Sequence, residues 1–337
     1  MRRRGVGTVA VAGPVPALRW LAALLLLLAL AASASAKDFR KSRGDAAPDA
    51  AAALAPAPAR DPLLAAQLAA LAPQRPGHRD LYVLAFAGDG TEQVFRNEAL
   101  YLRDLAAQRL DAAGRVVVLA NHPADDVAPA LPPADASNLR AALAAIGAAM
   151  DRDEDLLLLY LTTHGAPEHA LYLARPGQRD AWLRPPAIRA ALDDAGIRHR
   201  VIVVSACYAG GFAAALGGPD TLVLMAAHKA RPSFGCGVDA TATYFGEAFL
   251  VQALNQTIDF EAAFEAAKRE IARREHEQDL PPSLPQIQRG ARIAATLAEW
   301  RRGVSPGPAL AYPWPIGDAA DIATAGPGKG KALKQRR

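Results

Sequence analysis

Residues 200–211 read RVIVVSACYAGG, and the class of fold turns on this stretch. Val201, Ile202, Val203 and Val204 form a β-branched run without polar alternation. A strand apolar on both faces belongs inside a parallel sheet that is covered on both sides. The run delivers Cys207 to its end, and Gly210 and Gly211 follow. Four more short runs share the pattern: LYVLAFA at 81–87, RVVVLA at 115–120, LLLLYL at 156–161 and TLVLMA at 221–226. Stretches with helical character lie between them, at 98–113, 136–150, 186–195 and 208–216. The alternation predicts an α/β fold, an open and mainly parallel sheet with helices on both faces, with too few strands for a barrel. Phe260, Phe264, Ala267 and Ile271 recur at helical spacing and predict a stripe facing the core.

The N-terminus carries Arg2, Arg3, Arg4 and Arg19, then an apolar run from Trp20 to Ala32, then Ala34-Ser35-Ala36. This is the order of a secretory signal peptide, and the run is shorter than the roughly 20 residues of a spanning helix. Residues 1–36 are therefore expected to be cleaved, leaving no stable membrane span and an exported protein, periplasmic or secreted. Residues 37–78 are rich in Ala and Pro and read as a linker with one short helix. Residues 79–304 carry the globular pattern, and 305–337 form a Pro/Gly-rich basic tail in which YPWP (312–315) is a candidate for docking.

Removing residues 1–36 takes away four arginines and no acid, so 38 basic and 34 acidic residues become 34 and 34. A formally neutral body argues against nucleic acid as a partner. The acidic run 151–155 reads as a solvated loop entering a strand, and the Gly-Pro-Gly-Lys segment near Gly326 lacks the context of a phosphate loop. Neither a metal nor an organic cofactor is expected: His164, Cys207, His228 and Cys236 match no standard zinc spacing. Oligomeric state cannot be read from the sequence.

In an open α/β sheet, chemistry sits at the carboxyl ends of the strands. LAFAGDGTEQ closes the first strand, LLLLYLTTHGAP the third and VIVVSACYAGG the fourth. His164 and Cys207 thus emerge at one edge, on strands about 4.8 Å apart if they are neighbours. A thiolate is the attacking species, favoured by a nearby imidazolium or a helix N-terminus such as one starting near Tyr208. His164 can also donate a proton to a leaving amine. The backbone N–H groups of Gly165 and Cys207 suit a developing oxyanion. Gly210 and Gly211 would let a peptide backbone approach closely. Ser205 lacks the Gly-x-Ser-x-Gly setting of a serine nucleophile. Asp89, in GDGT, lies at the same edge.

LTTHG and SACYAGG, about forty residues apart on successive strands, resemble the His-Gly and Ala-Cys motifs of caspase-like cysteine peptidases. Within that group the sequence is most similar to the legumain family, which includes asparaginyl endopeptidases and the catalytic subunit of the GPI transamidase. The segment LVLMAAHKARPSFGCGVDATATYFGEAF (222–249) resembles that family's next strand and pocket loop. Together with DLYVLAFAGDGTEQVFRNEALYL and MDRDEDLLLLYLTTHG it resembles a bacterial exported branch. The resemblance spans about residues 79–300.

The resemblance implies a caspase-like fold and an exported cysteine endopeptidase acting on peptide or protein substrates, with cleavage after Asn or Asp. His164 would be general base and acid, Cys207 the nucleophile, and Gly165 with Cys207 the oxyanion hole. Ser233 would line the primary pocket, with Asp89, Arg96 and Ser205 as further pocket candidates. Cys236 would be a free, noncatalytic second cysteine. Two departures bear on specificity: Ser205 stands where legumains carry glutamate, and Pro232 replaces the second pocket serine. A transpeptidase of the same family and a non-enzymatic peptide-binding scaffold remain alternatives.

Overall fold

A computed structural model describes residues 61–316 apart from 126, 127 and 238. The expected signal peptide, residues 37–60 of the linker and residues 317–337 of the tail lie outside the described residues.

The central sheet has six strands in the order β2-β1-β3-β7-β8-β9. They are β1 (Leu81–Ala87), β2 (Val116–Ala120), β3 (Leu156–Thr162), β7 (His199–Ser205), β8 (Thr221–Met225) and β9 (Gln286–Arg289). All pair in parallel except β8 with β9. Every residue of β1, β3, β7 and β8 is buried, as continuous apolar runs require when both faces are covered. Alternate residues feed two cores. Val83, Tyr160, Val203 and Leu224 join Phe95, Phe249, Phe264 and Trp300 on one face. Leu84, Leu159, Ile202 and Val223 join Leu143, Ile188 and Phe212 on the other. The α/β class read from the sequence is the observed one.

Helices α1 (Pro62–Ala69), α2 (Gln93–Arg109), α3 (Ala136–Ala149), α4 (Pro185–Asp194), α5 (Ala213–Leu216), α6 (Tyr244–Gly246), α7 (Phe260–Glu277) and α8 (Ile293–Gly303) complete the main elements. The stripe Phe260, Phe264, Ala267 and Ile271 of α7 is buried. Helix α2 begins five residues before the expected 98 because Val94 and Phe95 already face the core. It stops before the left-handed Asp111, φ 55°.

The expected helix over 208–216 does not form as one piece. Tyr208 is left-handed at φ 57°, a 3-10 turn spans Ala209–Phe212, and only Ala213–Leu216 is α-helical. Helix α6 runs on as a π-helical stretch, Glu247–Ala253. A second sheet of three short strands, β4 (Gly165–Ala166), β5 (Ala170–Leu173) and β6 (Ala181–Leu183), follows β3 directly. Nor is the acidic run wholly solvated: Asp155 is fully buried and accepts hydrogen bonds from the backbone N–H of Asp80 and of Asp151, each at 2.8 Å.

The helix expected within the Ala/Pro-rich segment is α1, and it packs on the body. Leu64 is buried, and the Gln67 amide bonds both the N–H and the carbonyl of Val118. In that way a side chain closes the outer edge of β2 as a further strand would. The YPWP stretch docks as well. Tyr312 donates to Thr241 O, Thr241 Oγ1 donates to Pro315 O at 2.7 Å, and Tyr101 donates to Leu310 O at 3.0 Å. Among the described residues no helix is long and apolar enough to cross a membrane.

Candidate active site

Strands β3 and β7 are direct neighbours, with Thr162 opposite Ser205 at the last pair of their ladder. His164 and Cys207 each lie two residues beyond that pair, so both leave the sheet at one level. The main chains touch there. A Cβ on Gly165 would overlap the Cys207 carbonyl oxygen, so only glycine lets the turn after His164 pass that close. The N–H of Thr163 donates to Ser205 O at 3.3 Å, tying the two exits together.

The Cys207 thiol is half-buried against Ser233. The Ser233 N–H lies 3.3 Å from Sγ, and the Ser233 carbonyl and hydroxyl oxygens lie at 3.6 and 3.7 Å. Ser233, expected to line the primary pocket, is thus brought to the cysteine. Among the described residues no hydrogen bond joins the Cys207 thiol to the His164 ring. Nor does an α-helix start at the sulfur, because Tyr208 and the 3-10 turn intervene. The expected α-helix N-terminus is therefore replaced by a 3-10 turn that begins at Ala209.

The His164 ring has other partners. Its Nε2 lies 3.3 Å from Glu92 Oε2 and 3.7 Å from Asp89 Oδ2, and Phe95 packs edge-on with centroids 5.1 Å apart. The Cys236 sulfur completes a cluster with Glu92 and His164 whose ligating atoms all lie within 4.8 Å of one another. Burial by itself lowers the affinity of the imidazole for its proton. Hydrogen bonding and charge from Cys236 and Glu92 outweigh that effect and raise its pKa to about 11.

Asp89 is buried with its Oδ1 accepting from Thr91 N and Oγ1, both at 2.7 Å, which leaves Oδ2 toward His164. Arg96 and Ser205, expected in the pocket, have other partners. Arg96 is fully buried, and its guanidinium lies 2.9 Å from His122 Nδ1, 2.9 Å from Pro123 O and 2.7 Å from Asp125, where it holds the loop after β2. The Ser205 hydroxyl turns to Thr243 Oγ1 at 3.4 Å, beneath the site. Gly210 and Gly211 serve the chain itself: a Cβ on Gly210 would strike the backbone of Lys229, and one on Gly211 would strike the His169 ring. His228 accepts from Ala230 N and stands outside the cluster around His164. Both cysteines are free thiols.

Glu92 escaped the sequence reading, although it stands in the quoted GDGTEQ. Its only signal was its place at the mouth of β1, because a glutamate before a helix normally reads as a solvated N-terminal charge. Cys236 was expected to be a bystander; its contact with His164 depends on how the loop from Arg231 to Thr243 folds back.

A family model described as the Peptidase C13 family matches residues 135–290, a span that contains His164, Cys207, Ser233 and Cys236. This supports a cysteine peptidase-like function. Among the curated proteins none matches the chain. Among solved structures, the crystal structure of caspase-1 from Spodoptera frugiperda is similar, at 14% identity and a TM-score of 0.44 over 63% of this chain and 87% of that one.

Proposed function

We propose that this chain is an exported cysteine endopeptidase of the legumain type, with Cys207 as nucleophile and His164 as proton donor and acceptor. The observation that carries the reading is the placement of both residues two positions beyond the paired end of adjacent parallel strands. A scissile peptide lying across that edge meets sulfur from one side and imidazole from the other. The Cys207 sulfur attacks the carbonyl carbon as its thiolate, with the catalytic proton already on His164. The Cys207 N–H, which makes no hydrogen bond among the described residues, and the Gly165 N–H face the developing oxyanion. His164 passes the proton to the leaving nitrogen as the C–N bond breaks. Water then cleaves the thioester, adding hydroxyl to the acyl carbon and a proton to sulfur.

With Arg96 committed to its own loop and the carboxylates of Asp89 and Glu92 at the histidine, the pocket favours an uncharged Asn over Asp at the cleaved residue. The test is hydrolysis of a quenched peptide library by the mature protein, kept reduced, beside Cys207→Ala and His164→Ala. Loss of cleavage in both variants, with cuts after Asn, is the expected outcome. Unchanged cleavage in Cys207→Ala refutes the assignment of the nucleophile.

One observation favours a second reading: the sulfur beside the imidazole belongs to Cys236. If Cys236 were the nucleophile, Cys236→Ala would abolish cleavage and Cys207→Ala would spare it. Mass spectrometry of the covalent adduct formed with a peptide electrophile identifies which cysteine carries it.

A further inference from the structure

Glu92, His164 and Cys236 come from three separate segments: the start of α2, the turn after β3, and the loop between β8 and α6. One carboxylate oxygen, one ring nitrogen and one sulfur meet there within 4.8 Å. We propose that these three side chains form a binding site for Zn2+, and that the bound ion holds the enzyme in a latent state by occupying His164.

The donor set is soft sulfur with imidazole and a single carboxylate, which selects zinc over magnesium or calcium. Zinc takes nitrogen and carboxylate oxygen at about 2.0–2.2 Å and sulfur at about 2.3 Å, and tetrahedral geometry at those lengths puts N and O about 3.3 Å apart. The Glu92 Oε2 to His164 Nε2 separation is 3.3 Å. That Oε2 is buried, and its contact is the ion pair with the His164 ring rather than a hydrogen bond of good geometry, so a cation that displaces the ring proton there meets a carboxylate oxygen. Three protein ligands leave the fourth position for water or for substrate. Asp89 Oδ2, 3.7 Å from the same ring nitrogen, adds negative charge beside the site. Cys207 is not a member, since its sulfur is seated on Ser233. The ion would therefore engage the histidine and leave the nucleophile free.

The latency half of this proposal rests on the peptidase reading; the binding half does not. The experiment is titration of the reduced mature protein with ZnCl2 by calorimetry, and with CoCl2 by absorbance, in non-chelating buffer. One equivalent should bind, and cobalt should show a thiolate-to-metal charge-transfer band. Glu92→Gln and Cys236→Ser should each weaken binding at least tenfold, since losing a ligand costs no less than the roughly tenfold lost with an outer hydrogen bond. Their circular dichroism should match the parent, and Cys207→Ala should bind as the parent does. Absence of binding overturns the proposal, as does a charge-transfer band that survives in Cys236→Ser and disappears in Cys207→Ala. An inactive protein that binds zinc through Cys236 would sink the peptidase reading and keep the site. A peptidase whose cleavage is indifferent to stoichiometric zinc would sink the latency and keep the peptidase.

Discussion

Glu92 is the side chain whose loss acts most directly on His164. With its Oε2 3.3 Å from the ring, the carboxylate favours the imidazolium, whose pKa is raised to about 11 through Cys236 and Glu92 despite the opposing effect of burial. Because the folded value lies above the ordinary one of about 6.5, the pairing stabilises the fold fully below that pH. The contribution disappears as pH rises through about 11. Under the proposed mechanism, proton donation by His164 would be lost over the same alkaline range. Glu92→Gln should therefore bring the alkaline limb of the kcat/KM profile down by at least about one pH unit, and an unmoved limb would assign that limb to another group. Gly165→Ala should be harsher, because its Cβ would strike the Cys207 carbonyl. The shift would move the neighbouring Gly165 and Cys207 N–H groups, and under the proposed mechanism kcat should fall by about 100-fold or more, with a smaller effect on KM. The exit of His164, Cys207 and Gly165 at one edge of the sheet was legible because it is local to two motifs. Glu92, and the contact between Cys236 and His164, were not, since each arises from chain segments far apart in sequence.

At the scale of elements, the loop from Arg231 to Thr243 carries Ser233 and Cys236, and a buried carboxylate on α2 holds its far end. Glu98 accepts from Thr243 N at 2.8 Å, Tyr160 OH at 2.8 Å and Thr162 Oγ1 at 2.7 Å. Its burial pushes the carboxyl up from its usual range. Glu98→Ala would strand three donors and leave a void, at a cost of about 3 kcal/mol or more by chemical denaturation. A loss under about 1 kcal/mol would mean that water replaces the carboxylate. The long strands were readable because burial on both faces writes a continuous apolar run. The strand β9, QIQR, was not: an edge strand half in solvent has no such run, and its pairing with β8 is decided by the chain returning there. The helix expected after Cys207 failed for a local reason, since the chain turns left-handed at Tyr208 and its N–H bonds Arg231 O at 2.9 Å. That bond brings the loop that carries Ser233 against the cysteine.

Across the whole molecule, the described part of the tail closes the structure over the same loop. Leu310, Tyr312 and Trp314 pack on the core, Asn255 bonds both backbone groups of Leu310 at 2.7 and 2.8 Å, and Thr241 is held from both sides by Tyr312 and Pro315. Truncation after Val304 should lower stability by about 2 kcal/mol or more. It should also lower kcat/KM, because it frees the loop that carries Ser233; an unchanged melting temperature would show that the docking contributes nothing. The sequence by itself determined the α/β class, the parallel strands and the edge at which His164 and Cys207 emerge, because apolar periodicity and strand ends are properties of contiguous residues. The tertiary structure alone decided which groups surround those two. Arg96 goes to the loop after β2, Ser233 to the thiol, and Glu92 with Cys236 to the imidazole. Such pairings depend on where distant loops come to rest, and burial makes charged and polar groups settle with whichever partners the fold brings within reach.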